Sequence, residues 1–146
     1  MARTVSAFSE AELEYLRTQR LGRLATVGPD GRPHVTPVTY HYNEELDTVD
    51  VGGVSFGTTK KWRDARATGK VTLLVDDVLS NPRRARALEV RGDAEAHETG
   101  GEAINPRFSN FAPQYVRIRP TRIVSWGMEE GGVDGGGFRV NARDVG

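Results

Sequence analysis

Two periodicities alternate along this chain. From Leu88 to Ala96 apolar and polar residues alternate at period two, which predicts a strand with one face on a core and one in water. Lys70 to Asp76 is nearly continuous in apolar residues (Val71, Leu73, Leu74, Val75) and predicts a strand buried on both faces. Arg23–Val27 and Pro33–Tyr42 read as a hairpin about the turn Gly28-Pro29-Asp30-Gly31, with Thr48–Gly52 as a third strand. Gln114–Arg119 and Arg122–Trp126 read as the last strands, hinged at Pro120. Two stretches break this pattern with helical chemistry. Ser9 and Glu12 have capping-box spacing, Phe8 and Leu13 sit at staple positions, and Gly22 is expected to end that unit. A second helix is predicted from Thr58 to Thr68, closed by Gly69. Asp77 to Arg86 reads as a polar loop, and Asn105 to Phe111 as one or two helical turns.

The order is helix, three strands, helix, then mostly strands, with no repeat and no second core. It predicts a mainly β protein with flanking helices, a small closed or split β-barrel over residues 1–126. Beyond Gly127 the composition shifts. Six glycines fall between Gly127 and Gly137, so residues 127–146 are expected to form a mobile tail, or an arm that orders against a partner through Phe138 and Val140.

Charge and composition narrow the function classes. Twenty basic side chains balance twenty acidic ones, which counts against broad nucleic-acid binding. Without cysteine there are neither disulfides nor thiolate metal sites. No apolar run approaches the roughly 20 residues that span a bilayer. A soluble cytoplasmic protein is expected.

Candidate chemistry gathers at the second helix. Thr58, Thr59, Lys60 and Lys61 put two hydroxyls and two ammonium groups at a helix start, where free N–H groups and the dipole favour an anion such as phosphate. The plainer alternative is an N-cap threonine with solvated lysines, Lys60 pairing with Asp64. Pro37 interrupts a strand, so Thr36, Pro37, Val38 and Thr39 lie at an edge, at a bulge or against a ligand. His34 and His41 face opposite ways on one strand, and His97 is remote, so no metal site is expected. Asp76 and Asp77 point apart and do not form an acid–base pair. Tyr40, Tyr42, Trp62 and Trp126 suit either a core or the wall of a flat ligand. With no triad and no metal centre, an enzyme built this way borrows its reactivity from a cofactor.

Four blocks carry a resemblance. Gly22 to Val38 resembles the first hairpin of the pyridoxamine-phosphate-oxidase-like split-barrel proteins, and Lys61-Trp62-Arg63-Asp64 resembles their cofactor-phosphate helix. Arg86 to Gly92 and Pro120 to Gly127 resemble the following and closing strands. The blocks are most similar to the branch that uses the deazaflavin coenzyme F420, including a subgroup related to a tetracycline-tailoring reductase. The resemblance implies a homodimer with cofactor sites at the interface. It also implies that the backbone at Thr36–Thr39 runs beside the ring, that Thr58, Thr59, Lys60 and Lys61 hold the phosphate, and that Arg86 helps with the anionic tail. Asp64 stands where an amide is common in related sequences, and Asp77–Arg86 is longer and more basic than the pattern.

The function this implies is hydride transfer from the reduced deazaflavin to a small molecule with an electron-poor C=C or quinone-like group. Tyr40, His41 or water then gives the proton. The alternatives are an FMN-binding oxidase or reductase of the same fold, a non-catalytic cofactor carrier, and a nucleic-acid-binding barrel using Arg83, Arg84 and Arg86.

Overall fold

A computed structural model describes residues 5–128 and 139–146. The first helix, α1 (Glu10–Thr18), starts as its sequence dictates. The Ser9 hydroxyl accepts from the Glu12 N–H at 3.2 Å, and the Glu12 carboxylate accepts from the Ser9 N–H at 2.9 Å. The helix ends before Gly22, which opens β1 (Gly22–Val27) instead of capping α1. Gly22 is needed there for space, because a Cβ would lie 2.8 Å from Leu73.

β1 continues into β2 (Pro33–Asn43) and β3 (Thr48–Gly52). After a short 3-10 turn at Phe56–Thr58 comes α2 (Lys60–Thr68), closed by Gly69 in the left-handed conformation. Then follow β4 (Lys70–Ser80), β5 (Arg83–His97), β6 (Tyr115–Trp126) and β7 (Val140–Asp144). All pairings are antiparallel, in the order β3-β2-β1-β4-β5-β6-β7, and a β3–β6 pairing closes six strands into a barrel. Leu24, Val51, Leu73, Val90 and Ile118 fill it, all fully buried.

The barrel is split because two strands change partners midway. β2 gives residues 33–38 to β1 and 39–43 to β3. β6 gives 116–118 to β3 and 122–126 to β7. The expected pair of closing strands is therefore one strand. Pro120 lies within it opposite Gly92, where the register shifts; a Cβ on Gly92 would stand 2.5 Å from the Arg119 carbonyl oxygen.

One loop reading and one helical reading are corrected. Asp77–Arg86 is the end of a long hairpin, with β4 and β5 paired out to Ser80 and Arg83 around a cis Asn81–Pro82 bond. Cross-strand pairing of Asp77 with Arg86 stabilises what its polarity disguised. Asn105–Phe111 is not helical: the Asn105 carbonyl and side chain accept from the Phe108 and Arg107 N–H groups, and the 3-10 turn lies earlier, at Gly101–Ala103.

Of the Gly-rich end, residues 129–138, including Phe138, lie outside the described residues. Residues 140–144 form β7 on the barrel. Its Arg143 reaches Glu12, which is 1% exposed, with contacts of 2.6 and 2.9 Å. The Ser125 hydroxyl donates to the same carboxylate at 2.5 Å. Burial pushes the Glu12 carboxyl up, but hydrogen bonds from Arg143, Ser125 and the Ser9 backbone outweigh it and hold the group below its ordinary range.

Candidate functional site

The start of α2 lies against the inner face of β1. Asp64, 3% exposed, accepts from the Thr26 hydroxyl at 3.1 Å and from the Lys60 ammonium at 3.2 Å. A buried carboxylate needs such partners, so an acid stands here with a cation one turn earlier. A Cβ on Gly28 would lie 2.9 Å from the Asp64 carboxylate and 3.0 Å from the Lys60 ammonium, so this glycine admits the pair. The charge of Lys60 is thus committed inward.

The helix begins two residues later than expected, at Lys60, with Thr59 as its N-cap. The Thr59 hydroxyl accepts from the Trp62 N–H and donates to the Phe56 carbonyl at 2.7 Å. The Thr58 hydroxyl donates to the Ser55 carbonyl at 2.9 Å. Both threonines hold the turn itself. Lys61 differs: its ammonium rides over the Phe56 ring at 5.7 Å and pairs with no carboxylate among the described residues. Together with the first N–H groups of α2, it is the positive charge this helix start offers an anion.

The interrupted strand pairs with β1, on which α2 packs. Thr36, Pro37 and Val38 pair with Leu24, Arg23 and Gly22 on one side, while β3 begins only opposite Thr39. Among the described residues the other edge of residues 33–38 has no strand on it, so Pro37 costs no ladder bond there. Thr36 shares the inner face of Leu24 and Thr26, the face that α2 covers. Its hydroxyl is buried and has no hydrogen-bond partner. An open edge, an orphaned hydroxyl and an uncommitted ammonium fit a phosphate-bearing flat cofactor.

Not all candidates converge. Arg86 forks onto Asp77 at 2.9 and 2.7 Å and stacks on Tyr15 at 4.7 Å, and Tyr15 donates to the same carboxylate at 2.8 Å. That pairing holds the Asp77 carboxyl below its usual range and ties Arg86 to the β4–β5 hairpin. The Tyr40 hydroxyl donates into the end of α1, to Leu16 at 2.7 Å and to Gln19 at 3.2 Å, and burial pushes its pKa well above a free phenol's. Its proton is committed, which removes its case as a donor to substrate. Tyr42 and Trp62 belong to the core, whereas Trp126 is half-buried. No group of three metal-ligating side chains forms among the described residues. Nor is any helix among them long and apolar enough to cross a membrane.

His41 lines a cavity of about 760 Å³ between the end of α1, β2 and the segment 100–108, and Thr39 lines it too. One wall is an ion pair invisible at short range: Asp50, 2% exposed, accepts from Arg117 at 3.0 and 3.3 Å. The signal available in sequence was a carboxylate flanked by Val49 and Val51 in a short apolar strand.

Comparison with known proteins adds an independent line. Residues 8–130 match the family described as Pyridoxamine 5'-phosphate oxidase. The chain is 40% identical over 139 residues to a 5a,11a-dehydrotetracycline/5a,11a-dehydrooxytetracycline reductase of Streptomyces rimosus subsp. rimosus, covering 94% of this chain and 93% of that one. A conserved hypothetical protein from Mycobacterium tuberculosis superposes with a TM-score of 0.67 at 23% identity, over 92% of this chain and 94% of that chain. An FAD binding protein from Mycobacterium smegmatis superposes at 0.59 and 23% identity, over 81% and 95%.

Proposed function

The chain belongs to the pyridoxamine 5'-phosphate oxidase family, and from that premise we propose that it is a cofactor-dependent reductase using the deazaflavin coenzyme F420. The observation that carries the reading is the unpaired Lys61 at the α2 N-terminus, together with an orphaned Thr36 hydroxyl on β2, the strand that pairs with the β1 on which α2 packs. When bound, the reduced cofactor supplies a hydride. Lys61 and the first N–H groups of α2 bind its phosphate, and Lys60 and the two threonines keep that turn in shape. The backbone from Thr36 to Thr39 flanks the ring. Reduction of an electron-poor C=C needs one hydride and one proton. His41, two residues beyond Thr39 on the same strand face, is this chain's candidate for delivering the proton. FMN in the same place is the second reading, since a phosphate and a flat ring are all that the cradle selects.

A second copy of the chain completes the site in this reading. The outer face of the sheet carries Val27, Val35, Pro37, Leu74, Val78 and Val140, of which Val35 is 62% exposed. This face continues into the open edge of β2, so a partner seated there covers the ring as well. Sedimentation at twice the chain mass is expected, and a monomer that still binds cofactor would overturn the shared site. The cofactor test is a fluorescence titration with the deazaflavin beside FMN. Saturable binding of the deazaflavin alone supports the reading; preference for FMN moves the protein to flavin chemistry, and binding of neither ends the cofactor argument.

A further inference from the structure

We propose that the 760 Å³ cavity beside His41 is the acceptor pocket, and that it takes a flat, ring-bearing substrate whose anionic oxygen group is held by Arg20 and Arg107. A carboxylate, phenolate or enolate has the required chemistry. Naming the occupant an acceptor rests on the reductase reading above; the anion site itself rests on the cavity alone.

Four guanidinium groups and two carboxylates line this space. Two of the four cations are engaged, Arg117 by Asp50 at 3.0 Å and Arg17 by Glu44 at 3.8 Å. Arg20 and Arg107 have no carboxylate partner among the described residues. They come from distant parts of the chain, one just after α1 and the other after the Gly101–Ala103 turn, yet both face the same cavity. Planar guanidinium groups bind planar oxyanions through paired N–H donors and stack on rings. An aromatic surface is supplied beside them. Phe108 stacks on Phe111 with centroids 5.0 Å apart and stays 38% exposed at the cavity. The volume lies in the range of about 300–1,000 Å³ that holds organic ligands, and it exceeds what a bare inorganic anion fills. Thr39 belongs both to this lining and to the strand stretch assigned to the cofactor ring, so the two compartments meet at one residue. Lys61 does not line the cavity, so the phosphate site is separate from it.

Calorimetric titration of the full chain with 1-naphthoate, and with the uncharged 1-naphthamide at the same ionic strength, tests this. The acid is expected to bind saturably and about tenfold or more tighter than the amide, the scale of a charged hydrogen bond. The double variant Arg20→Gln/Arg107→Gln should lose that advantage and leave amide binding unchanged. Both arginines are exposed and pair with no carboxylate among the described residues, so an unchanged melting curve is expected for the variant. Lys61→Ala should leave naphthoate binding intact. Equal affinity for acid and amide, absence of naphthoate binding, or wild-type affinity in the double variant would overturn the proposal. Naphthoate binding as expected in a protein that binds no cofactor would sink the reductase reading and keep the anion pocket; the reverse result would sink the pocket alone.

Discussion

Both helices of this protein begin at a hydroxyl-capped turn beside a buried carboxylate, and the two turns are finished differently. At α1, Glu12 takes bonds from Ser9, Ser125 and Arg143, and the charges close on each other. At α2, Asp64 is satisfied by Thr26 and Lys60, but Lys61 next to Lys60 is left over, and so is the Thr36 hydroxyl on the adjoining sheet face. A network that saturates itself holds a fold together. One that leaves a donor unused still has hydrogen-bonding capacity to give a further partner.

Breaking the closed network should have the larger effect. Arg143→Ala leaves Glu12 buried without its guanidinium and is expected to cost about 3–5 kcal/mol, read from the urea midpoint at constant slope. A loss under about 1 kcal/mol would mean that β7 does not hold this carboxylate in solution. Acid probes the same network. The Glu12 carboxyl is held below its ordinary range, and Asp47 and Asp77 are depressed as well. The unfolded chain therefore takes up protons first as pH falls. Their contribution is present above the ordinary carboxylate range and is lost on acidification through it. A unfolding midpoint that stays flat from pH 6 to about 3 would contradict this.

The open network should respond in binding and not in stability. Lys61→Ala is expected to weaken cofactor affinity by roughly 1.5–3 kcal/mol while moving stability by less than about 0.5 kcal/mol. Unchanged affinity would remove Lys61 from the site. Thr36→Val should have the smallest effect. Replacing an unpaired buried hydroxyl is expected to leave the free protein as stable as before, or up to about 1 kcal/mol more so, and to reduce cofactor binding. A clear loss of stability in calorimetry would show that the hydroxyl already has a partner, such as an ordered water.

The same contrast separates what the sequence disclosed from what it hid. Ser9 with Glu12, the turn Gly28–Gly31, Thr59 and Gly69 act within a few residues, and each did in the fold what its neighbours implied. Lys60 with Asp64 was legible as an i, i+4 pair. The geometry of the α2 start was legible for that reason, and the open edge of β2 was marked by Pro37. The cavity was not, because its walls come from α1, β2, β3 and the segment 100–108, and its ion pair joins residues 67 apart. The pairing of Arg86 was hidden because its partner, Asp77, is nine residues back and meets it only when the hairpin forms. Tyr40 looked like a proton donor until the end of α1 was seen to accept its proton.

The clasp between α1 and β7 also bears on how the chain is made. Glu12 leaves the ribosome 131 residues before Arg143. At roughly 5–20 residues per second, that is a wait of about 7–26 s. Through that interval α1 can cap itself, since Ser9 and Glu12 are already present, but docking it would bury a carboxylate whose cation has not been synthesised. Nascent chains stalled before Arg143 should therefore carry α1 undocked, with the apolar stripe of Leu13 and Leu16 open to chaperones, even where β3 and β6 have already closed the barrel.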